Sequence, residues 1–72
     1  MTNNELDLHG IKHQDVQLLV EDWVLVNQYS IPLKIICGNS AKMIQLVDEV
    51  LTNKLNIKYR MWQYGVIVVD FV

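Results

Sequence analysis

The sequence of 72 residues has little cysteine, proline or glycine, and each shortage excludes a class of protein. Its one cysteine, Cys37, cannot form an internal disulfide, which excludes a small disulfide-bonded secreted domain. One proline and three glycines leave no stretch with the composition of a flexible linker. No apolar run is long enough to span a membrane, and none has the pattern of a secretory leader. We therefore expect one small cytoplasmic domain without a membrane contact.

Basic residues are also few in this chain. It carries six Lys and Arg against eight Asp and Glu, which gives a net charge of −2. Nucleic-acid-binding proteins usually carry an excess of basic residues, because these displace counterions from phosphates. The charge balance therefore disfavours a general electrostatic binder of nucleic acid, although a local group of lysines can outweigh it.

Hydrophobic residues, in contrast, make up 51% of the chain. A domain of this size buries only roughly 60% of its unfolded surface, so its stability depends on a dense core. Such a hydrophobic share predicts either that core or an apolar face used for self-association. We expect a monomer or a weak homo-oligomer.

Hydrophobic periodicity predicts four strands and two helices. The predicted strands are residues 5–9, 33–37, 57–62 and 66–72. The predicted helices run from about residue 12 to 29 and from the N-cap residue Ser40 to residues 53–56. Residues 63–65 supply the hairpin turn between the last two strands.

The apolar stripes of the two helices predict which of their side chains are buried. The first stripe is Val16, Leu19, Val20, Trp23 and either Val24 or Val26. The second stripe is Met43 or Ile44, followed by Val47, Val50, Leu51 and Leu55. Each helix therefore has one face that must pack on the sheet.

The element order β-α-β-α-β-β predicts an α/β fold with two layers. If successive strands advance across the sheet in one direction, two right-handed crossovers place both helices on one face of a mixed four-stranded sheet. The last strand is rich in β-branched residues, which predicts a position inside the sheet. The first two strands are then parallel, and their carboxyl ends lie at one edge, where open α/β sheets bind ligands.

Asp7 and His9 are the most suggestive pair for chemistry, because residues two apart on a strand project from the same face. In a catalytic interpretation His9 is a general acid or base, a role that the imidazole side chain commonly performs near neutral pH. Asp7 would orient or polarise His9, position a nucleophile, or hold a divalent ion through water. In the alternative interpretation both side chains are solvated and discourage edge-to-edge pairing with another chain.

The turn at Gly38, Asn39 and Ser40 follows the second strand and offers free backbone N–H groups beside a helix N-terminus, which is a ready anion site. Lys42 in the first helical turn adds a positive charge. The alternative is an ordinary strand-to-helix turn, in which Ser40 caps the helix and Gly38 permits the backbone geometry.

The remaining candidates have a favoured structural interpretation. Three aromatic residues of the closing hairpin can stack on bases but are expected to pack across strands; they are Tyr59, Trp62 and Tyr64. Cys37 is expected to be a small buried residue rather than an activated thiolate. Asp70 is expected to pair with Lys58 or Arg60 across the hairpin. His13 is expected to be solvated, and no metal-ligand spacing is present.

The opening segment Leu6-Asp7-Leu8-His9-Gly10, the helix after it, the second glycine turn and the closing hairpin resemble the small MutS-related (Smr) domain family. The resemblance covers residues 5–72, which we interpret as a single Smr-like domain preceded by a flexible N-terminus, residues 1–4. It implies a fold like that of the C-terminal domain of translation initiation factor three. It also implies nucleic-acid binding and phosphodiester endonuclease activity, with DNA or RNA as the partner.

The resemblance assigns Asp7 and His9 to the catalytic D-x-H pair of that family. It places contacts to phosphate and nucleic acid on Gly10, Gly38, Asn39, Ser40 and Lys42. It leaves the cofactor open between a divalent cation such as magnesium and none.

The second motif differs from the usual H-G-x-G or T-G-x-G of the family. Here Cys37 stands at its first position and Ser40 replaces its last glycine, so one glycine and one lysine remain. Together with the acidic balance, this difference supports an alternative function. The domain would then be a non-catalytic module that retains the fold and recruits a protein or the ribosome.

Overall fold

The computed structural model describes residues 4–72, and its elements follow the predicted order. The strands are β1 Glu5–Asp7, β2 Leu33–Ile36, β3 Arg60–Gln63 and β4 Val66–Val69. The helices are α1 His13–Val26 and α2 Ala41–Asp48, and α2 continues as a π-helical segment, Glu49–Lys54. Of the N-terminus predicted to be flexible, residues 1–3 lie outside the described part of the chain. The carbonyl of Asn4 accepts a hydrogen bond of 2.7 Å from the backbone N–H of Lys34.

The sheet has four strands in the order β1-β2-β4-β3. β1 pairs with β2 in parallel, and β4 pairs antiparallel with both β2 and β3. β1, β2 and β3 therefore share one direction, and β4 runs against them between β2 and β3. The predicted mixed α/β sheet and the interior position of its last strand are both confirmed.

Both helices pack on one face of this sheet and share a single core. The fully buried side chains of that core include Val16, Val20, Val24, Val47 and Leu51 from the helical layer, with Leu33, Ile35, Ile67 and Val69 from the sheet. Of the two options for the first stripe, Val24 is buried and Val26 is exposed. The two-layer arrangement is thus confirmed, with one sheet face left free of helices.

Helix boundaries reflect local capping. The hydroxyl of Ser40 accepts a hydrogen bond of 3.2 Å from the backbone N–H of Met43, so the predicted N-cap is confirmed. α1 ends at Val26, three residues before the predicted end. Both the backbone N–H and the side-chain amide of Asn27 donate to the carbonyl of Trp23, which satisfies that carbonyl as the helix stops.

All four strands are shorter than predicted, and β3 shows why. It begins at Arg60, three residues after the predicted start at Ile57. Arg60 is paired with Val68, and β4 ends one residue later at Val69. A residue belongs to a strand only if it pairs with a residue of a neighbouring strand. Ile57 is buried but has no such partner, and its backbone N–H donates to the carbonyl of Leu51 instead.

The face without helices carries the other half of each strand, and we call it the helix-free face. In the central strands it presents Lys34 and Ile36 from β2 opposite Val68 and Val66 from β4. Both valines are less than one-tenth exposed although no helix covers them. Side chains of the neighbouring strands therefore shield this face.

Candidate functional site

The carboxyl ends of β1 and β2 lie side by side at one edge of the sheet. Asp7 is paired with Ile36, and the backbone N–H of Leu8 donates to the carbonyl of Ile36 at 2.9 Å, one residue beyond the strand. The turn at His9 and Gly10 therefore leaves the sheet next to the turn that begins after Ile36. The predicted juxtaposition of the two turns is confirmed for the backbone.

Asp7 and His9 lie on either side of a buried anchor. Leu8 has no exposed surface, whereas both flanking side chains are exposed. One carboxylate oxygen of Asp7 accepts a hydrogen bond of 2.9 Å from the backbone N–H of His9, and the N–H of Ile11 donates to the carbonyl of Leu8 at 3.0 Å. The carboxylate thus fixes the main chain of the turn, while the imidazole of His9 points into a solvent-accessible region.

The second turn combines structural and exposed groups. Gly38 has φ +74°, a conformation that favours glycine. The hydroxyl oxygen of Ser40 accepts a hydrogen bond from the first turn of α2, and its O–H remains available to donate to a ligand. Asn39 and Lys42 are exposed. Anion-binding capacity at this turn therefore rests on backbone N–H groups, the Ser40 hydroxyl and the Lys42 ammonium.

A third glycine turn meets the same edge. β4 runs antiparallel to β2, so the hairpin turn that begins β4 lies next to the end of β2. The backbone N–H of Cys37 donates to the carbonyl of Gly65 at 2.7 Å, and a Cβ placed on Gly65 would overlap the backbone of Gly38. Tyr64, which precedes Gly65 and is largely exposed, therefore lies at the same edge of the sheet.

Cys37 is buried at the centre of these contacts, with 5% of its surface exposed. Burial disfavours the charged thiolate and raises the pKa of Cys37 to about 11. At neutral pH the buried thiol form is therefore favoured over the thiolate, which disfavours a nucleophilic role. The favoured prediction, a small buried residue at the end of a strand, is confirmed.

The raised pKa predicts a loss of stability in base. Between pH 9, where the thiol ionises in the unfolded chain, and about pH 11, the folded state retains a proton that the unfolded state loses. The free energy of unfolding should therefore fall as the pH rises through this window, by up to about 1.4 kcal/mol per pH unit. Urea denaturation at successive pH values measures this slope. Cys37→Ala should reduce this slope most between about pH 9 and pH 10, because the raised pKa of Tyr59 adds a loss of the same sign only above pH 10. An unchanged slope between pH 9 and pH 10 in that variant would contradict the assignment.

The aromatic residues of the hairpin divide into two groups. Tyr59 packs against the core, and its hydroxyl donates to Asp48 at 2.6 Å. Burial and this hydrogen bond raise the pKa of Tyr59 to about 12. Tyr59 precedes β3 and packs against the core and α2, whereas packing across strands was predicted. Trp62 and Tyr64 are 60% and 61% exposed, and Trp62 contacts Lys34 across the sheet. Trp62 belongs to β3, an edge strand whose four residues are all exposed, and Tyr64 follows in the turn.

Ion pairs on this side of the molecule are structural. The Nε of Arg60 donates a hydrogen bond of 2.7 Å to the carboxylate of Asp70. This is one of the two pairings that the sequence predicted for Asp70. This pairing raises the pKa of Arg60 above its ordinary value. Both side chains are substantially exposed, so the pair contributes little to stability.

Among residues 4–72, no group of three or more His, Cys, Asp and Glu side chains is arranged to hold a metal ion. Asp7 and His9 offer two ligands at most, fewer than the three protein ligands typical of catalytic zinc sites. The described residues therefore do not form a protein-only cage for a divalent cation.

Comparisons with known proteins find no matching protein-family model, no matching curated protein and no matching solved structure. Within residues 4–72, no helix has both the length and the apolar character needed to cross a membrane. The function of the edge is therefore inferred from its own residues and geometry.

Proposed function

We propose that this domain binds nucleic acid and hydrolyses a phosphodiester bond at the edge formed by the turns after β1 and β2. One observation carries the proposal. Asp7, the last residue of β1, and His9, in the turn that follows, are both exposed, and hydrogen bonds and the buried Leu8 hold this segment directly beside the Gly38 turn. The resemblance of residues 6–10 to Smr domains supports the same function, acting in the cytoplasm.

The turn geometry suggests how the phosphate would be held. Backbone N–H groups at Gly38 and Asn39, the N-terminus of α2 and the ammonium of Lys42 present positive charge to an anion. Gly10, with φ +83° and nothing within 4 Å of its missing Cβ, leaves room for a backbone to approach. Ser40 caps α2 through its hydroxyl oxygen, and its O–H would donate to the phosphate.

The two side chains have distinct roles in the proposed hydrolysis. A water molecule attacks phosphorus and releases one proton to the solvent, while the bond from phosphorus to the leaving oxygen breaks. His9 transfers a proton to that leaving oxygen as general acid. Asp7 positions the reacting groups. Its carboxylate holds the backbone of His9 in place, and its negative charge orients the attacking water.

The test is cleavage of labelled single-stranded RNA, single-stranded DNA and duplex DNA, with and without Mg²⁺. We expect Asp7→Asn combined with His9→Ala to reduce cleavage by about 100-fold or more, because general acid–base groups typically contribute that much. Asn at position 7 retains an oxygen that can accept the bond from the His9 amide, so the turn should keep its shape. Circular dichroism checks the fold of each variant.

The matched control is His13→Ala. His13 is the other histidine of the chain, and it is exposed at the first position of α1. Its replacement should leave cleavage unchanged. Equal cleavage by the wild type and by the Asp7 and His9 double variant would show that these residues are not catalytic.

A second candidate function is a non-catalytic interaction module, which recruits a protein or the ribosome. The net charge of −2 and the exposed apolar side chains of Met61, Trp62, Tyr64 and Phe71 favour it. The salt dependence of binding separates the two functions, since phosphate contacts make affinity fall steeply with salt. A flat response with no cleavage would support the module.

A further inference from the structure

The helix-free face carries an open cleft of about 370 Å³, within the size range of small-ligand sites. Its lining includes Glu5 from β1, Lys34 from β2, Val68 from β4, and Arg60 and Trp62 from β3. Four of them lie on one row of the sheet, because Lys34 is paired with both Glu5 and Val68, and Val68 with Arg60. Trp62 is two residues further along β3. The cleft is therefore built on all four strands.

Trp62 forms one wall of this cleft and is 60% exposed. The ammonium of Lys34 lies 5.1 Å from the centre of its indole ring, within cation–π distance. A β-bulge between Met61 and Gln63 interrupts the pairing at this point of β3. Bulges re-aim side chains at sheet edges, and here the result is a large aromatic surface beside a cation.

We propose that this cleft binds one nucleotide of a single-stranded nucleic acid, with its base stacked on Trp62. Aromatic stacking is the common way in which proteins hold unpaired bases. Lys34 would move from the Trp62 ring and from its 3.7 Å ion pair with Glu5 to the sugar-phosphate backbone, which Arg60 would contact through the guanidinium N–H groups not bonded to Asp70. Glu5 and Asn4 would then accept hydrogen bonds from the amino groups of the base. The mixture of donors, acceptors and apolar surface matches a nucleobase better than a bare phosphate.

The position of the cleft connects it to the proposed catalytic edge. Glu5 in the cleft and Asp7 at the edge are two residues apart on β1, so they lie on the same face and about 7 Å apart along the strand. A strand bound along the helix-free face would pass from Trp62 to the turn at His9. This inference rests on the proposed function and adds that the substrate is single-stranded, since bases within a duplex do not expose their faces.

The experiment measures binding of fluorescently labelled single-stranded oligonucleotides by anisotropy, with the matching duplex as comparison. We expect Trp62→Ala to weaken single-strand binding by about 10-fold or more, the range of one stacking contact. Trp62→Phe keeps an aromatic face and should stay within about 3-fold of the wild type. Because Trp62 is exposed, neither change should alter the circular dichroism spectrum.

The matched control is Tyr29→Ala. Tyr29 is 93% exposed and does not line the cleft, so its loss should leave binding unchanged. Preference for the single strand over the duplex is the second expected result. Equal binding of Trp62→Ala and wild type, or a preference for the duplex, would overturn the proposal.

The two proposals fail in different ways. If Trp62→Ala binds normally while cleavage still depends on Asp7 and His9, the cleft is wrong and the proposed function stands. If Trp62→Ala weakens binding while the double variant of Asp7 and His9 cleaves normally, the cleft stands and the proposed function is wrong. If Trp62→Ala abolishes self-association measured by sedimentation and leaves nucleic-acid binding intact, the face is a protein interface and the cleft proposal is overturned.

Discussion

Replacing Gly65 by alanine is expected to destabilise the domain by about 3 kcal/mol or more. Two costs add at this position. The backbone has φ +86°, which L-residues rarely adopt, and the new Cβ would overlap the carbonyl group of Gly38. Since a domain of this size has roughly 4–10 kcal/mol of stability in total, the loss would be a large part of it.

Gly10→Ala is the matched control for this substitution. Gly10 has nearly the same backbone angle, φ +83°, but nothing lies within 4 Å of the position of its missing Cβ. Gly10→Ala should therefore lower the free energy of unfolding only by the cost of the backbone conformation, about 1 kcal/mol. The free energy of unfolding of both variants is measured by urea denaturation. The difference between them gives the cost of the overlap between the Gly65 turn and the Gly38 turn. Equal losses would show that the Gly65 and Gly38 turns are not packed together.

Leu8→Ala is expected to cost about 2–4 kcal/mol, because it removes a fully buried side chain and leaves a cavity. The consequence extends to the candidate site. Leu8 connects Asp7 to His9 and anchors their turn in the core, so the turn should become mobile as the cavity forms. Faster hydrogen exchange at the amide of His9, which Asp7 binds in the wild type, measures this loosening.

Leu18→Ala provides the same chemical change on the surface. Leu18 is 73% exposed on α1, so its truncation should alter stability by no more than about 0.5 kcal/mol. It should also leave the exchange of the His9 amide unchanged. Similar denaturation midpoints for the two leucine variants would contradict the role of Leu8 as an anchor.

The fold could be predicted from the sequence because its signals are local. Alternation in residues 5–9 and helical periodicity in the next segment reveal the first crossover, and Ser40 marks the start of α2. The apolar run of β4 reveals a strand buried on both faces. Helix spacing alone left Val24 and Val26 as alternatives, because residues two apart on a helix lie on different faces and only packing decides between them.

The candidate site could be predicted only in part, because its remaining features depend on contacts distant in sequence. The meeting of Gly65 with Gly38 follows from β4 lying beside β2, which pairs residues far apart in the chain. The exposure of Trp62 follows from β3 being at the sheet edge. The bond from the His9 amide to Asp7 is local, but a short polar side chain can bond either to a side chain or to nearby backbone, and the sequence does not choose.

The position of β4 affects how this domain folds during its synthesis on the ribosome. β2 and β3 are joined by backbone hydrogen bonds only through β4, yet β4 is the last of the four strands to be synthesised. A nascent chain that ends before Val66 can form its first crossover and both helices, but its third strand has no partner. The growing polypeptide therefore cannot complete its sheet step by step, and the sheet closes only once residue 69 has emerged.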